Sequence, residues 1–168
     1  MAKTTQTTKI DGKRVRIVTT TGPNGTKVKV EQAPPKEWVL QAAQVRALRT
    51  MPEYARNISD VMAGRGKFTI AGDQNSAKRG PKARMEAVAA GMTSGEHDVR
   101  IYMAGGVLGL IENKVGKASL EQSQKDRHPL LAALGFSRQA IIRAVTEEDA
   151  VKQAVEQVRV WLADVACS

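Results

Sequence analysis

Three residues of this 168-residue chain are suited to chemistry by type and spacing: Asp98, Glu112 and Lys114. Asp98 opens the run Val99-Arg100-Ile101-Tyr102-Met103, Ala104-Gly105-Gly106 forms a turn, and a second apolar run ends in Leu110-Ile111-Glu112-Asn113-Lys114. Two carboxylates and one ammonium on a single face can hold a divalent cation and hydrolyse a phosphodiester, because hard cations take oxygen ligands and activate water. Successive strand side chains point to opposite faces, so Glu112 and Lys114 share one. If Gly105 is the centre of a three-residue turn, Asp98 lies directly opposite Glu112, with Cβ atoms about 4.5–5.5 Å apart. Like charges at that distance repel unless a cation lies between them, and a two-residue turn would separate the pair by one register step. Glu-x-Lys is a common tripeptide, and on most strands it is a solvated face. Here Leu108, Leu110 and Ile111 predict a central, buried strand, where charges need partners.

The elements that must position these residues follow from periodicity. Arg14 to Thr19 and Thr26 to Val30 alternate basic and β-branched residues around the Asn24-Gly25 turn of Gly22-Pro23-Asn24-Gly25, which predicts a β-hairpin. Pro34-Pro35 closes this basic arm as a rigid joint. A helix is predicted from Lys36 to Arg49, with Trp38, Val39, Ala42, Val45 and Leu48 as its apolar stripe. A second is predicted from Pro52 to Gly64, and a short third from Lys82 to Ala90. Between them, around Asp73-Gln74-Asn75-Ser76, the chain is polar and reads as a loop. After the Asp98–Lys114 hairpin, Ser119 is a candidate N-cap, with a break expected near His128 because Pro129 follows. Gln139 to Val145 predicts a third strand, parallel to the second hairpin strand through a right-handed crossover. Thr146 with Glu147, Glu148 and Asp149 opens a last helix, whose buried stripe is Val151, Ala154, Val155, Val158, Trp161, Leu162 and Val165. The fold class is therefore α/β, a small mixed β-sheet flanked by helices with an N-terminal β-hairpin arm. The domain division is 1–35 for the arm and 36–168 for the remainder.

Composition narrows the partners. The formal net charge is +9, and residues 1–36 hold eight Lys/Arg against two acids. Such a balance favours a polyanion, nucleic acid or an anionic membrane surface. Aromatic content is only 4%, so the core must be aliphatic. One cysteine, Cys167, forms neither an intramolecular disulfide nor a zinc site and suits an intracellular, cytoplasmic setting. No apolar signal core opens the chain, and no run is long enough to span a membrane.

Gly91 to Asp98, Leu110 to Lys114, Ser119-Leu120-Glu121-Gln122 and Leu131 to Gly135 together resemble the VRR-NUC family, a branch of the PD-(D/E)XK nucleases that includes phage-type stand-alone members. The similarity runs roughly from Lys36 to Leu162. It implies a restriction-endonuclease-like fold and Mg²⁺- or Mn²⁺-dependent cleavage of DNA. It further implies that Asp98 and Glu112 are metal ligands, with the Asn113 backbone carbonyl a further donor and Lys114 the group that orients water and stabilises charge. Gln122 matches a supporting glutamine on the following helix, and Glu37 with Gln41 resembles an upstream pair that reaches the same centre. The family usually has proline where His97 stands, and an apolar residue where Asn113 stands.

The reading is thus a metal-dependent endodeoxyribonuclease that acts as a homodimer. By family analogy it is selective for Holliday-junction or other branched DNA. Arg14, Arg16, Lys27 and Lys29 of the arm, and Gln74, Asn75, Lys78, Arg79, Lys82 and Arg84, are the candidate nucleic-acid contacts. The alternative is a non-catalytic basic DNA-binding or phage assembly protein that retains the fold.

Overall fold

A computed structural model of the chain describes residues 1–72 and 80–167, which form two compact units, Met1–Pro35 and Lys36–Ser168. The first is a three-stranded antiparallel sheet of β1 (Ala2–Ile10), β2 (Lys13–Gly22) and β3 (Gly25–Gln32), in that spatial order. The β2–β3 hairpin turns at Pro23-Asn24, one residue earlier than the expected Asn24-Gly25 turn, because Gly22 pairs with Gly25. The third strand, β1, corrects the two-stranded arm. It escapes pattern reading because Lys3-Thr4-Thr5-Gln6-Thr7-Thr8-Lys9 has no apolar alternation. Its signature is Asp11-Gly12, both at positive φ (49° and 74°), the residue pair a two-residue hairpin turn prefers.

The second unit runs α1 (Glu37–Thr50), α2 (Ile58–Met62), β4 (Phe68–Gly72), α3 (Pro81–Ala89), β5 (Val99–Met103), a 3₁₀ turn at Ala104–Gly106, β6 (Leu108–Val115), α4 (Gln122–Ala133), β7 (Gln139–Ala144) and α5 (Glu147–Ala166). Its sheet has the order β4-β5-β6-β7, antiparallel except for the parallel β6–β7 pair. This is the mixed sheet flanked by helices that the patterning predicts.

Several details differ from expectation. Strand β4 stands where no element is predicted, the loop expected around Asp73 to Ser76 lies outside the described residues, and Phe68 is buried in the core against Tyr54, the two rings edge to face at 5.7 Å. Only Ile58–Met62 of the predicted second helix is helical. Along α1 the buried positions are Leu40, Ala43, Gln44 and Leu48, while Trp38 is 60% exposed. Leu40, Gln44 and Leu48 recur every four residues, and a position two residues from Leu40 falls on the far side of a 3.6-residue turn. Helix α4 is capped by Glu121 rather than Ser119, through a capping box with Gln124, and it continues past Pro129. The proline forfeits one helical donor, and burial of His128 and Leu131 beside it offsets that loss.

The core lies between the sheet and α1 with α5. Ile101, Ile111, Val99, Phe68, Leu48 and Ile142 pack with Ala154, Val158 and Trp161. In α5 the buried residues Ala150, Ala154, Val158 and Trp161 recur at helical spacing behind the Thr146 cap, whose hydroxyl accepts from the Asp149 amide. Gly109 admits the Trp161 ring so closely that a Cβ there would stand 2.6 Å from it. Strand β7 is an outer strand of the sheet, and its Arg143 guanidinium donates to the Ala118 carbonyl. Among the described residues, no helix is long and apolar enough to cross a membrane.

Candidate active site

The hairpin takes the register that a Gly105-centred turn dictates. Val99 pairs with Ile111, Arg100 with Leu110, Ile101 with Gly109 and Tyr102 with Leu108. Gly105 and Gly106 occupy left-handed conformations (φ 70° and 74°) that tighten the turn without a Cβ penalty. One step beyond Val99, Asp98 comes level with Glu112, and its Oδ2 accepts the Asn113 backbone N–H at 2.7 Å.

Glu112 and Lys114 lie side by side on one face of β6. Lys114 Nζ is 2.8 Å from Glu112 Oε1, with the two side chains only 6% and 1% exposed. Glu37, at the start of α1, brings its carboxylate within 3.7 Å of Lys114 Nζ and remains half exposed. One turn along α1, Gln41 donates to the Asp98 carbonyl at 2.9 Å. On the opposite face of β6, Asn113 Oδ1 accepts from the buried Gln44 at 2.7 Å, which fixes α1 against the strand.

Helix α4 supplies a different glutamine from the expected one. Gln122 is exposed and donates to Asp126 on its own helix. Gln124 donates to Glu112 Oε1 at 2.5 Å, while its own carbonyl oxygen accepts the Glu121 amide in the capping box. The shift follows from the cap: with Glu121 rather than Ser119 at the N-cap, the third helical residue faces the strand. His128, one turn further along, is buried, and its Nε2 lies 3.8 Å from Glu112 Oε2. Its ring stacks on His97, with centroids 3.8 Å apart. His97 lies on the loop before β5 and is nonetheless buried, and His128 lies within α4, buried, rather than at a break in the helix. The signal was available as an i to i+4 relation between Gln124 and His128, but it depends on knowing where α4 begins.

The loop that carries His97 and Asp98 is bound to α4. Glu96 forms an ion pair with Arg127, whose Nε donates at 2.7 Å. Gly95 (φ 86°) lies directly against the Ser123 carbonyl, leaving no room for a Cβ.

Burial sets the protonation states. Burial, then the Asp98 charge, pushes Glu112 up to about 7, against the opposing pull of Lys114 and Gln124. Burial also raises Asp98, although the Asn113 amide and Lys114 favour its ionised form. Desolvation presses Lys114 downward, but its hydrogen bond to Glu112 and the charges of Glu112, Glu37 and Asp98 outweigh it, so its pKa is raised. Burial, followed by His128, lowers His97 to about 4, and His128 is lowered by burial and Lys114, so both rings are neutral near pH 7.

Asp98, Glu112, Lys114 and Glu37 therefore converge, and Gln122 does not join them. Arg14, Arg16, Lys27 and Lys29 belong to the arm sheet, and Lys82 and Arg84 are exposed on α3. Gln74, Asn75, Lys78 and Arg79 lie outside the described residues. Among the described residues, no three of His, Cys, Asp or Glu are already grouped to hold a metal ion. What suits a cation is narrower: Glu112 Oε2 is buried without a hydrogen-bond partner, beside a second carboxylate whose proximity raises its pKa. No family model, curated protein or solved structure matches this chain.

Proposed function

We propose that the chain is a metal-dependent DNA endonuclease. The observation that carries this reading is the buried Glu112, paired to Lys114 through one oxygen, facing Asp98 across the hairpin, with its other oxygen unpartnered. Buried carboxylates left in this state are expensive unless a cation completes them.

Asp98 and Glu112, with the Asn113 backbone carbonyl and Glu37, would be the oxygen donors for Mg²⁺ or Mn²⁺, which would polarise the scissile phosphate and lower the pKa of a water. The chain's own residues do the rest. The Asn113 amide holds Asp98 Oδ2 and Gln124 holds Glu112 Oε1, so each carboxylate has one oxygen fixed. Lys114, kept protonated, places a compact positive charge where the phosphoryl oxygens gain negative charge. Gln41 fixes the Asp98 backbone from α1. Selectivity for branched DNA, and a homodimer that presents two such sites, belong to the same proposal and rest on the family resemblance.

Purified protein should cut at least one of linear, flapped or four-way DNA with Mg²⁺ or Mn²⁺, and not in EDTA. Absence of cleavage across that panel with both metals would sink the proposal. The roles of the two glutamines separate in the same assay. Gln124→Ala should slow cleavage about 10- to 100-fold, in the range of a missing outer-shell partner, and Gln122→Ala should leave it within about two-fold of wild type. Equal effects would show that Gln124 does not act through Glu112.

A second reading has one observation in its favour. Lys114 already serves as an internal counter-ion to Glu112, as it would in a DNA-binding protein that kept the fold without the chemistry. Such a protein binds DNA in every assay above and cuts none.

A further inference from the structure

The arm sheet is two-faced. The registers Lys9 with Arg14, Thr7 with Arg16, Thr5 with Val18 and Lys3 with Thr20 place these side chains on one face of β1 and β2. Arg16 with Glu31, Val18 with Lys29 and Thr20 with Lys27 extend that face across β3. Six cations, Lys3, Lys9, Arg14, Arg16, Lys27 and Lys29, thus share it with one carboxylate, Glu31, which Arg16 and Lys29 both contact. The opposite face presents Thr4, Gln6, Val15, Ile17, Thr19, Val28 and Val30, and its one cation is Lys13 at the end beside the Asp11-Gly12 turn. Strand alternation alone would scatter the charge. The registers gather it.

We propose that the basic face binds the phosphate backbone of duplex nucleic acid as a surface separate from the Glu112 site. Cations two residues apart on one strand stand about 6.8 Å from each other, and neighbouring strands about 4.8 Å, an extended lattice rather than a pocket for a compact anion. Thr5, Thr7 and Thr20 lie among the cations, and hydroxyls of this kind donate to phosphate oxygens. Residues 1–35 contain no aromatic side chain, so the face offers no platform for unstacked bases and no Trp or Phe to enter a lipid interface. A regular duplex, which presents only charge and hydrogen-bond acceptors at its backbone, is the partner this chemistry fits. The inference does not depend on the nuclease reading.

The test measures affinity of the full chain for a labelled duplex in EDTA, as a function of KCl. Lys3, Lys9 and Lys27 are exposed; the triple variant Lys3→Gln/Lys9→Gln/Lys27→Gln should weaken binding at least ten-fold at physiological salt. It should also reduce the slope of log K against log[KCl] by about 2 to 3, close to one for each phosphate that a replaced lysine neutralised. Lys9→Gln and Lys13→Gln give the face-specific comparison, since both remove one charge next to the same turn but on opposite faces. Lys9→Gln should lower affinity and slope, while Lys13→Gln leaves both within two-fold of wild type. Equal effects from the two, or an unchanged slope in the triple variant, would overturn the proposal. So would a triple variant that keeps duplex affinity but loses binding to phosphatidylserine vesicles. Failure to cut DNA leaves this measurement intact, so the two readings fail independently.

Discussion

Asp98→Asn and Lys114→Ala should each reduce DNA cleavage by about 10²- to 10³-fold while leaving duplex affinity within a few-fold of wild type. Asparagine keeps the shape of Asp98 and its acceptance from the Asn113 amide, and removes only the charge a cation needs. Loss of Lys114 removes the ammonium at 2.8 Å from Glu112, and removing a single charge-stabilising donor from an active site lowers turnover by about 10²–10³ in comparable cases. The measurement is single-turnover cleavage with Mg²⁺ and Mn²⁺, with affinity determined in EDTA on the same preparations. A variant that still cuts at more than a tenth of the wild-type rate would remove that residue from the chemistry. A parallel loss of binding would instead assign the residue to the DNA interface.

Glu112→Gln should change how stability depends on pH. Glu112 titrates near 7 in the fold and near 4.5 in the unfolded chain. Between those values the folded protein holds the extra proton, so its contribution is complete below about pH 4.5 and is lost as pH rises through about 7. His97 and His128 act in the opposite direction, because their lowered values make the fold lose stability as pH falls. Both rings remain in the variant, so the difference between the two proteins isolates Glu112. The stability of Glu112→Gln minus that of wild type, from urea unfolding without metal, should rise by a few kcal/mol between about pH 4.5 and 7.5 and then level off, since a tenfold difference in proton affinity between fold and unfolded chain is worth about 1.4 kcal/mol. A flat difference would mean that Glu112 is ionised throughout. Added Mn²⁺ should stabilise wild type more at pH 8 than at pH 6, since its ligands must shed protons, and should give the variant little.

Much of this architecture can be read in the sequence wherever one physical rule dominates. The Ala104-Gly105-Gly106 turn fixes the β5–β6 register, so the alignment of Asp98 with Glu112 follows from turn length and strand alternation. Helix α5 combines a capping threonine, three acids in its first turn and an apolar stripe, and each points to the same element. Where rules compete, reading fails. Ser119 is a better N-cap by type than Glu121, but Glu121 gains a reciprocal partner in Gln124, and that two-residue shift changes which glutamine meets the site. Trp38 is apolar by composition and exposed by phase. Gln44 and His128 are polar by type and buried by position, because each meets a residue on an element far away in the chain. No local pattern records such pairings.

The outer position of β7 bears on how the protein behaves when concentrated. Ile141 on β7 and Val145 just past its end are exposed, with Arg143 between them on the same side. The outer strand of a sheet is a template on which further chains can add, and here the Gln153 amide of α5 already occupies the Arg143 carbonyl at 3.0 Å. A charge in the middle of that row, tethered to the Ala118 carbonyl, makes stacking of a second strand electrostatically and sterically unfavourable. Arg143 is thus placed as a charge that disfavours strand-on-strand addition along this edge.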